Sequence, residues 1–149
     1  MGRSRILVIE DGSEYVENLR RFLGDDFHFE RAGDGADALD RLASEPWDAI
    51  FLDMRFDRSS RLLGDLDGLV DRFLGDQDRA RRFLIDNQGA YVLAAVRDAG
   101  HSQPVLFSYD FDGEPRRYRN LESRYGPLAY LADTADPGQI REALRGLLR

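Results

Sequence analysis

The chain has 149 residues, of which 42% are hydrophobic, and a formal net charge of −7. This length and hydrophobic content predict one domain with a buried core, and the net negative charge argues against nucleic acid as the main partner. The chain has no cysteine, which excludes disulfides and thiol chemistry. The apolar run at residues 6–9 is too short for a signal peptide or a membrane span, so we expect a cytoplasmic protein with no membrane partner.

Strand and helix patterns alternate along the chain. Five short segments predict strands; they are residues 6–9, 27–31, 47–53, 104–108 and 128–132. Tyr15, Val16 and Leu19 begin the apolar face of a first helix, and the last helix begins at Asp136 with Gln139 at the capping-box position. Strands separated by helices form βαβ units. We therefore expect an α/β, doubly wound, five-stranded parallel sheet in the order 2-1-3-4-5.

Acidic residues follow two of the predicted strands. Glu10 and Asp11 come directly after the first strand, and Asp53 ends the third. Parallel strands end at one edge of the sheet, so the three carboxylates should gather there. Such groups repel one another unless a cation or a proton intervenes, and oxygen ligands in an open site suit Mg²⁺. We predict a weak Mg²⁺ site; the alternative is that a strand-end carboxylate such as Asp11 only caps the first helix.

The order of these residues resembles the receiver domain of bacterial response regulators. The resemblance implies a flavodoxin-like fold in which Asp53 is the phosphoacceptor and Glu10 and Asp11 hold Mg²⁺ with it. It also implies that Ser108, which ends the fourth strand, contacts the phosphoryl group, and that Tyr130 on the fifth strand is the aromatic switch. The implied partner is a histidine kinase or another signalling protein.

Three positions depart from the family pattern. Asp133 stands where the family carries a phosphate-binding lysine, and the chain contains no lysine, since all 21 basic side chains are arginine. A carboxylate there would repel a phosphoryl group. Tyr109 follows Ser108 where the family has a small residue, and it could narrow access to Asp53. Arg55 could overhang the pocket and partly replace the missing positive charge.

The segment at about residues 55–86 is an insertion relative to a plain receiver domain. A structureless loop of this length is improbable, and apolar residues at helical spacing predict one helix near residues 66–74 and a second near 78–85. Leu62, Leu66, Leu69 and Phe73 either pack internally or form an association surface for a partner or a second copy of the chain. Since the insertion begins beside Asp53, it either covers the acidic edge or projects from it.

Three functions remain open from the sequence. We expect a single, standalone receiver-like domain over residues 1–149, an atypical or pseudo-receiver rather than an enzyme, which acts through protein contacts with weak or absent phosphorylation of Asp53. The alternative is a functional phosphoaccepting response regulator in which an arginine replaces the lysine, and the cluster Arg116, Arg117 and Arg119 could supply it. The third is a Toprim-like, Mg²⁺-dependent phosphoryl-transfer enzyme, but Arg55 stands where that class needs a second aspartate.

Overall fold

The computed structural model describes residues 2–149 and contains a five-stranded sheet in the order β2-β1-β3-β4-β5. Every neighbouring pair of strands is parallel. This confirms the predicted sheet. The strands are β1 Ser4–Ile9, β2 Phe27–Ala32, β3 Ala49–Asp53, β4 Val105–Ser108 and β5 Leu128–Leu131. Predicted and observed bounds differ by at most two residues. The differences of two residues are at β1, which begins at Ser4 and not at residue 6, and at β3, which begins at Ala49 and not at residue 47.

Seven helices lie within residues 2–149. They are α1 Glu14–Leu23, α2 Gly35–Ser44, α3 Leu66–Arg72, α4 Gln77–Asp86, α5 Gln88–Asp98, α6 Pro115–Tyr125 and α7 Pro137–Leu147. Five of them, all but α3 and α4, pack against the sheet. The side chain of Asp136 accepts a hydrogen bond from the Gln139 amide, and the Gln139 side chain bonds back, so the predicted capping box is present. No helix in the described part of the chain is long and apolar enough to cross a bilayer.

Both faces of the sheet are buried, which explains the nearly continuous apolar runs of the strands. Leu7 and Ile9 of β1 pack on the face that α2 and α5 cover. Ile6 and Val8 pack on the opposite face, where α1 and α7 lie. This alternation follows the two-residue period of a strand. The sheet therefore forms a rigid support, and the residues that follow the strands lie together at its C-terminal edge.

The insertion forms a small helical core of its own. Leu69 of α3 packs with Ala80 and Leu84 of α4, and Phe73 packs against this cluster. Leu69 is only 7% exposed, so it cannot belong to the predicted association surface, because the two helices bury it between them. Leu62 and Phe73 are also partly buried against this core.

Two other leucines of the insertion are exposed. Leu66, at the start of α3, has 36% of its surface exposed, and Leu74, in the turn after α3, has 95% exposed. Leu66 and Leu74 are therefore the leucines of the insertion that remain exposed for an association surface.

A buried glutamine attaches the insertion to the rest of the domain. Gln88 is fully buried, its side-chain oxygen accepts a hydrogen bond from the Leu63 amide at 2.7 Å, and its side-chain nitrogen donates to the Leu63 carbonyl at 3.0 Å. Leu63 also lies over Gly35, where an added Cβ would come within 2.4 Å of the leucine side chain. These contacts hold the insertion against α2 and α5.

The first part of the insertion, residues 55–61, crosses the C-terminal edge of the sheet, and we call it the crossing segment. Its Arg58 amide donates to Asp11 at 2.5 Å, and the Arg58 guanidinium pairs with Glu14 at 2.7 Å. Further along, the Arg61 guanidinium donates two hydrogen bonds to Asp34, at 2.8 and 3.1 Å. The crossing segment, rather than helices α3 and α4, is thus the part of the insertion that reaches the acidic pair.

Candidate functional site

Adjacent strand ends bring the predicted site residues together. Asp53 is the register partner of Ser108 on β4, and Ile9 of β1 pairs with Leu52 of β3, so Glu10 and Asp11 follow on the other side of Asp53. Two clefts open beside Asp53. Both are lined by Asp53, Arg55 and Asp133. The cleft of about 410 Å³ extends toward the acidic pair, and the cleft of about 650 Å³ extends toward β4 and α6.

Glu10 caps helix α1. Its side chain is only 1% exposed, and its two carboxylate oxygens accept hydrogen bonds from the Tyr15 amide at 3.1 Å and the Val16 amide at 2.7 Å. Burial raises the pKa of Glu10, while the two amide hydrogen bonds oppose this change. The capping role that the sequence analysis considered for Asp11 therefore belongs to Glu10.

Asp11 and Asp53 each use one carboxylate oxygen in a contact with the backbone. Asp11 Oδ2 accepts from the Arg58 amide, and Asp53 Oδ1 accepts from the Met54 amide at 2.9 Å. The backbone carbonyl of Asp11 also accepts from the Arg31 guanidinium at 3.0 Å. The second carboxylate oxygen of each residue has no hydrogen-bond partner among residues 2–149 and is available to a ligand.

Burial, together with the nearby carboxylates of Asp11, Glu10 and Asp133, raises the pKa of Asp53 to about 7, although the hydrogen bond from the Met54 amide opposes this change. The negative form of Asp53 is therefore destabilised at neutral pH, because it is desolvated and because the neighbouring carboxylates repel it. Binding of a proton or a cation would stabilise the site. Perturbed carboxyl groups of this kind concentrate at functional sites.

The described residues supply a partial metal site. No group of three acidic or histidine side chains within residues 2–149 is arranged to hold an ion by itself. Mg²⁺, however, commonly binds through one or two carboxylates and keeps several waters. The free oxygens of Asp11 and Asp53 fit this requirement. Glu10 does not supply a free oxygen, so it would contribute negative charge rather than a direct ligand.

The Ser108 side chain makes a hydrogen bond that the sequence pattern does not predict. Its hydroxyl donates a hydrogen bond to the Tyr15 hydroxyl at 2.9 Å, and only 6% of Ser108 is exposed. The Tyr15 ring packs on Phe51, with 5.1 Å between ring centroids. Burial raises the pKa of Tyr15, and the charges of Asp53, Asp133 and Glu10 raise it further, which indicates that its hydroxyl lies close to the acidic residues.

Tyr130 packs in an aromatic cluster at the β4–α6 side of the site. Its ring centroid lies 5.3 Å from that of Phe111 and 4.6 Å from that of Tyr118. Its hydroxyl donates to Asp112 at 2.6 Å, which raises the pKa of the Tyr130 hydroxyl. The predicted switch tyrosine is therefore tied to the loop after β4 and makes no hydrogen bond to Ser108.

The larger cleft contains guanidinium groups but no ammonium group. Arg117 of α6 donates to Asn87 at 2.7 Å and to Glu114 at 3.2 Å, and Arg55 pairs with Asp86 at 3.2 Å. Tyr109 also donates its hydroxyl to Glu114 and lies under the Arg117 guanidinium, 5.6 Å from ring centroid to guanidinium carbon. Both arginines thus already pair with acidic side chains.

The lining of the larger cleft carries more negative than positive charge. Its two guanidinium groups face five carboxylates, which are those of Asp53, Asp86, Asp110, Glu114 and Asp133. A bound anion would therefore meet net repulsion in the absence of a cation.

No family model matches the chain. Among curated proteins, it is similar to the response regulator MprA of Mycobacterium avium and that of Mycobacterium tuberculosis, with 42% identity over 146 residues in each case. The match covers 97% of this chain but 51% of the first relative and 50% of the second. The chain thus spans about half the length of the curated relatives that it matches.

Solved structures show the same fold at low sequence identity. A CheY-like response regulator receiver domain protein from Methanospirillum hungatei superimposes with a TM-score of 0.64 at 13% identity, covering 99% of this chain and 94% of that one. A two-component response regulator from Clostridium difficile gives 0.67 at 16% identity, covering 99% and 97%. Chemotaxis response regulator CheY4 of Vibrio cholerae gives 0.67 at 16% identity, covering 99% and 100%.

The class of the domain follows from these observations together. The five-stranded parallel sheet and its helices have the fold of the receiver structures. The curated relatives are response regulators that match almost the whole of this chain. The chain is a receiver-type domain of the response-regulator kind.

Proposed function

We propose that this domain is an atypical signalling module of two-component type, in which Asp53 is a weak phosphoacceptor and the output is a protein–protein contact. The observation that carries the proposal is that Asp53 lines the larger cleft together with both Ser108 and Asp133. Asp53 lies beside Ser108, as a phosphoacceptor requires, but the cleft is shared with Asp133 where a lysine would be expected.

The chemistry is the transfer of a phosphoryl group to a carboxylate. The Asp53 carboxylate attacks the phosphorus and a new O–P bond forms. The P–N bond of a phosphohistidine or of phosphoramidate breaks and the nitrogen leaves with a proton, or the P–O bond of acetyl phosphate breaks and acetate leaves. The free oxygens of Asp11 and Asp53 would hold Mg²⁺, which when bound neutralises charge on the phosphoryl group. Ser108, the register partner of Asp53, would donate a hydrogen bond to a phosphoryl oxygen.

The electrostatics favour weak rather than full phosphorylation. Loss of a charge-assisted contact to a phosphoryl group costs on the order of 1.5–3 kcal/mol. Asp133 adds repulsion at the same place, and the two guanidinium groups of the larger cleft already pair with Glu114 and Asp86. A phosphoryl group on Asp53 would therefore gain less stabilisation here than in a site that contains a lysine.

One observation supports a fully functional phosphoacceptor as the alternative. Arg117 lies in the same cleft as Asp53, and its contact with Asn87 directs one guanidinium nitrogen along the cleft lining. If Arg117 leaves Glu114 for the phosphoryl group, it would replace the missing lysine. The Toprim-like alternative has no such support, because Arg55 occupies the place of its second aspartate and pairs with Asp86.

The partners that we propose are a histidine kinase or another signalling protein. The exposed leucines of the insertion, Leu66 and Leu74, would contribute apolar surface to a contact with such a partner or with a second copy of the chain.

Incubation with acetyl phosphate or phosphoramidate in Mg²⁺, followed by intact mass, tests the proposal. We expect a minor fraction of the protein to gain one phosphoryl group, and Asp53→Asn should abolish the gain. Complete phosphorylation would favour the alternative with Arg117. A gain that persists in Asp53→Asn, or no gain at any donor concentration, would contradict the assignment of Asp53 as phosphoacceptor.

A further inference from the structure

The hydroxyl of Ser108 already donates a hydrogen bond in the unphosphorylated domain. It donates to the Tyr15 hydroxyl at 2.9 Å. A serine hydroxyl carries one proton and can donate one hydrogen bond. Ser108 therefore cannot donate to Tyr15 and to a phosphoryl oxygen on Asp53 at the same time.

Tyr15 is held in place by three separate contacts. Its amide donates to Glu10 Oε1 at 3.1 Å, its ring packs on Phe51, and its hydroxyl accepts from Ser108. Glu10 directly follows β1, Phe51 lies within β3, and Ser108 ends β4, and the same strands position Asp11 and Asp53. Tyr15 also lines the smaller cleft together with Asp53 and Asp133. It thus contacts the serine hydroxyl and borders the cleft that the acidic residues line.

We propose that Tyr15 regulates the phosphoacceptor site by holding the Ser108 hydroxyl in a resting position, so that Ser108 donates to a phosphoryl group only after the hydrogen bond that it donates to Tyr15 breaks. This inference rests on the proposed function, since it assigns a regulatory residue to the same site. It gives the domain a second reason for weak phosphorylation, because the free energy of the Tyr15 bond opposes the phosphorylated form. Tyr15 acts through Ser108 and is therefore a positioning residue.

The substitution Tyr15→Phe removes the hydroxyl and keeps the ring that packs on Phe51. A neutral hydrogen bond of this kind corresponds to about a 2- to 10-fold change in an equilibrium constant. We expect Tyr15→Phe to increase the phosphorylated fraction at limiting phosphoramidate by about this factor. Tyr91→Phe is the matched control, because Tyr91 lies on α5 against the insertion core and lines neither cleft.

The double variant Tyr15→Phe/Ser108→Ala shows whether the effect passes through Ser108. We expect it to equal Ser108→Ala alone, because without the serine hydroxyl there is nothing for Tyr15 to hold. An equal gain in both backgrounds would overturn the inference, since Tyr15 would then act only by blocking access. No gain in Tyr15→Phe, beside phosphorylation that Asp53→Asn abolishes, would overturn the inference and leave the proposed function intact.

A measurement without any phosphoryl donor tests the restraint of Ser108 by Tyr15 separately from the proposed phosphorylation of Asp53. Three-bond NMR couplings report the side-chain rotamer of Ser108 in the unphosphorylated protein. We expect one rotamer in the wild type and in Tyr91→Phe, and averaging among rotamers in Tyr15→Phe. An unchanged single rotamer in Tyr15→Phe would overturn the inference whatever the phosphorylation results are. Failure of every variant to accept a phosphoryl group, with averaging observed, would contradict the proposed function and support the Tyr15–Ser108 restraint.

Discussion

Asp133 and Asp53 line the same two clefts at the C-terminal edge of the sheet, one from the end of β5 and the other from the end of β3. Asp133 is among the groups that raise the pKa of Asp53. A lysine at residue 133 would lower that pKa and attract a phosphoryl group. In the proposed site, Asp133 thus reverses the sign of the charge at the position where the resemblance to receiver domains implies a phosphate-binding lysine.

The free energy of unfolding should depend on the ionisation of Asp53. Its pKa is 3.8 in the reference state and about 7 in the folded domain, so the folded form holds the proton more tightly. The contribution of Asp53 to the free energy of unfolding is therefore greatest below pH 3.8. It falls as the pH rises toward 7 and remains low above pH 7. Removal of the charge by Asp53→Asn should stabilise the protein at pH 8 by roughly 2–4 kcal/mol, after allowance for solvent screening.

Chemical denaturation in EDTA at pH 8 and pH 4.5 measures this effect. The stabilisation by Asp53→Asn should be large at pH 8 and much smaller at pH 4.5, where Asp53 is protonated in the folded state. Asp48→Asn is a suitable comparison, because Asp48 lies at the other end of β3 and bonds to the Arg5 amide. An equal effect of Asp53→Asn at both pH values would contradict the raised pKa.

Metal binding should depend on Asp11 and Asp53 more than on Glu10. Asp11 and Asp53 each have a free carboxylate oxygen, whereas both oxygens of Glu10 bond to amides of α1. We expect Asp11→Asn and Asp53→Asn to weaken Mg²⁺ binding at least tenfold by calorimetry. Glu10→Gln should weaken it less, but it should destabilise the fold by about 1–2 kcal/mol because the cap of α1 is lost. A larger loss of Mg²⁺ affinity in Glu10→Gln than in Asp11→Asn would show that this division of roles is wrong.

Two leucines of the insertion should behave differently on substitution with serine. Leu69→Ser should cost about 2–5 kcal/mol of unfolding free energy, because Leu69 is buried among Ala80 and Leu84. Leu74→Ser should be close to neutral for stability, since Leu74 is 95% exposed. If the insertion is a contact surface, Leu74→Ser should instead reduce association with a partner or a second copy, which sedimentation measures. Equal effects of both substitutions on stability would contradict the packing of the insertion.

The sequence predicts the elements whose signals are local. The capping box at Asp136 and Gln139 is an example, because the two residues are three positions apart and need no distant partner. The sheet order also follows, since buried parallel strands and right-handed crossovers allow few arrangements. The grouping of Asp53 with Asp11 and Ser108 is a consequence of that order.

Contacts between distant side chains are not predictable in this way. The sequence places Tyr15 on the apolar face of α1, but its hydroxyl reaches Ser108, 93 residues further along the chain. Glu10 is chosen over Asp11 as the cap of α1 by the direction of its side chain at the end of β1. Leu69 and Leu74 have the same side chain and both fall within the segment predicted as one helix. However, α3 ends at Arg72, so Leu69 packs on α4 while Leu74 lies exposed in the turn that follows.

The most direct test of the charge reversal is the extent of Asp53 phosphorylation in the wild type and in Asp133→Lys, measured side by side by intact mass with phosphoramidate and Mg²⁺. A charge-assisted contact of about 1.5–3 kcal/mol corresponds to an increase of roughly 10- to 150-fold in the phosphorylation equilibrium. We expect a minor phosphorylated fraction in the wild type and a major one in Asp133→Lys, with none in Asp53→Asn/Asp133→Lys. Equal and complete phosphorylation of the wild type and Asp133→Lys would contradict the proposal that Asp133 makes this domain a weak phosphoacceptor.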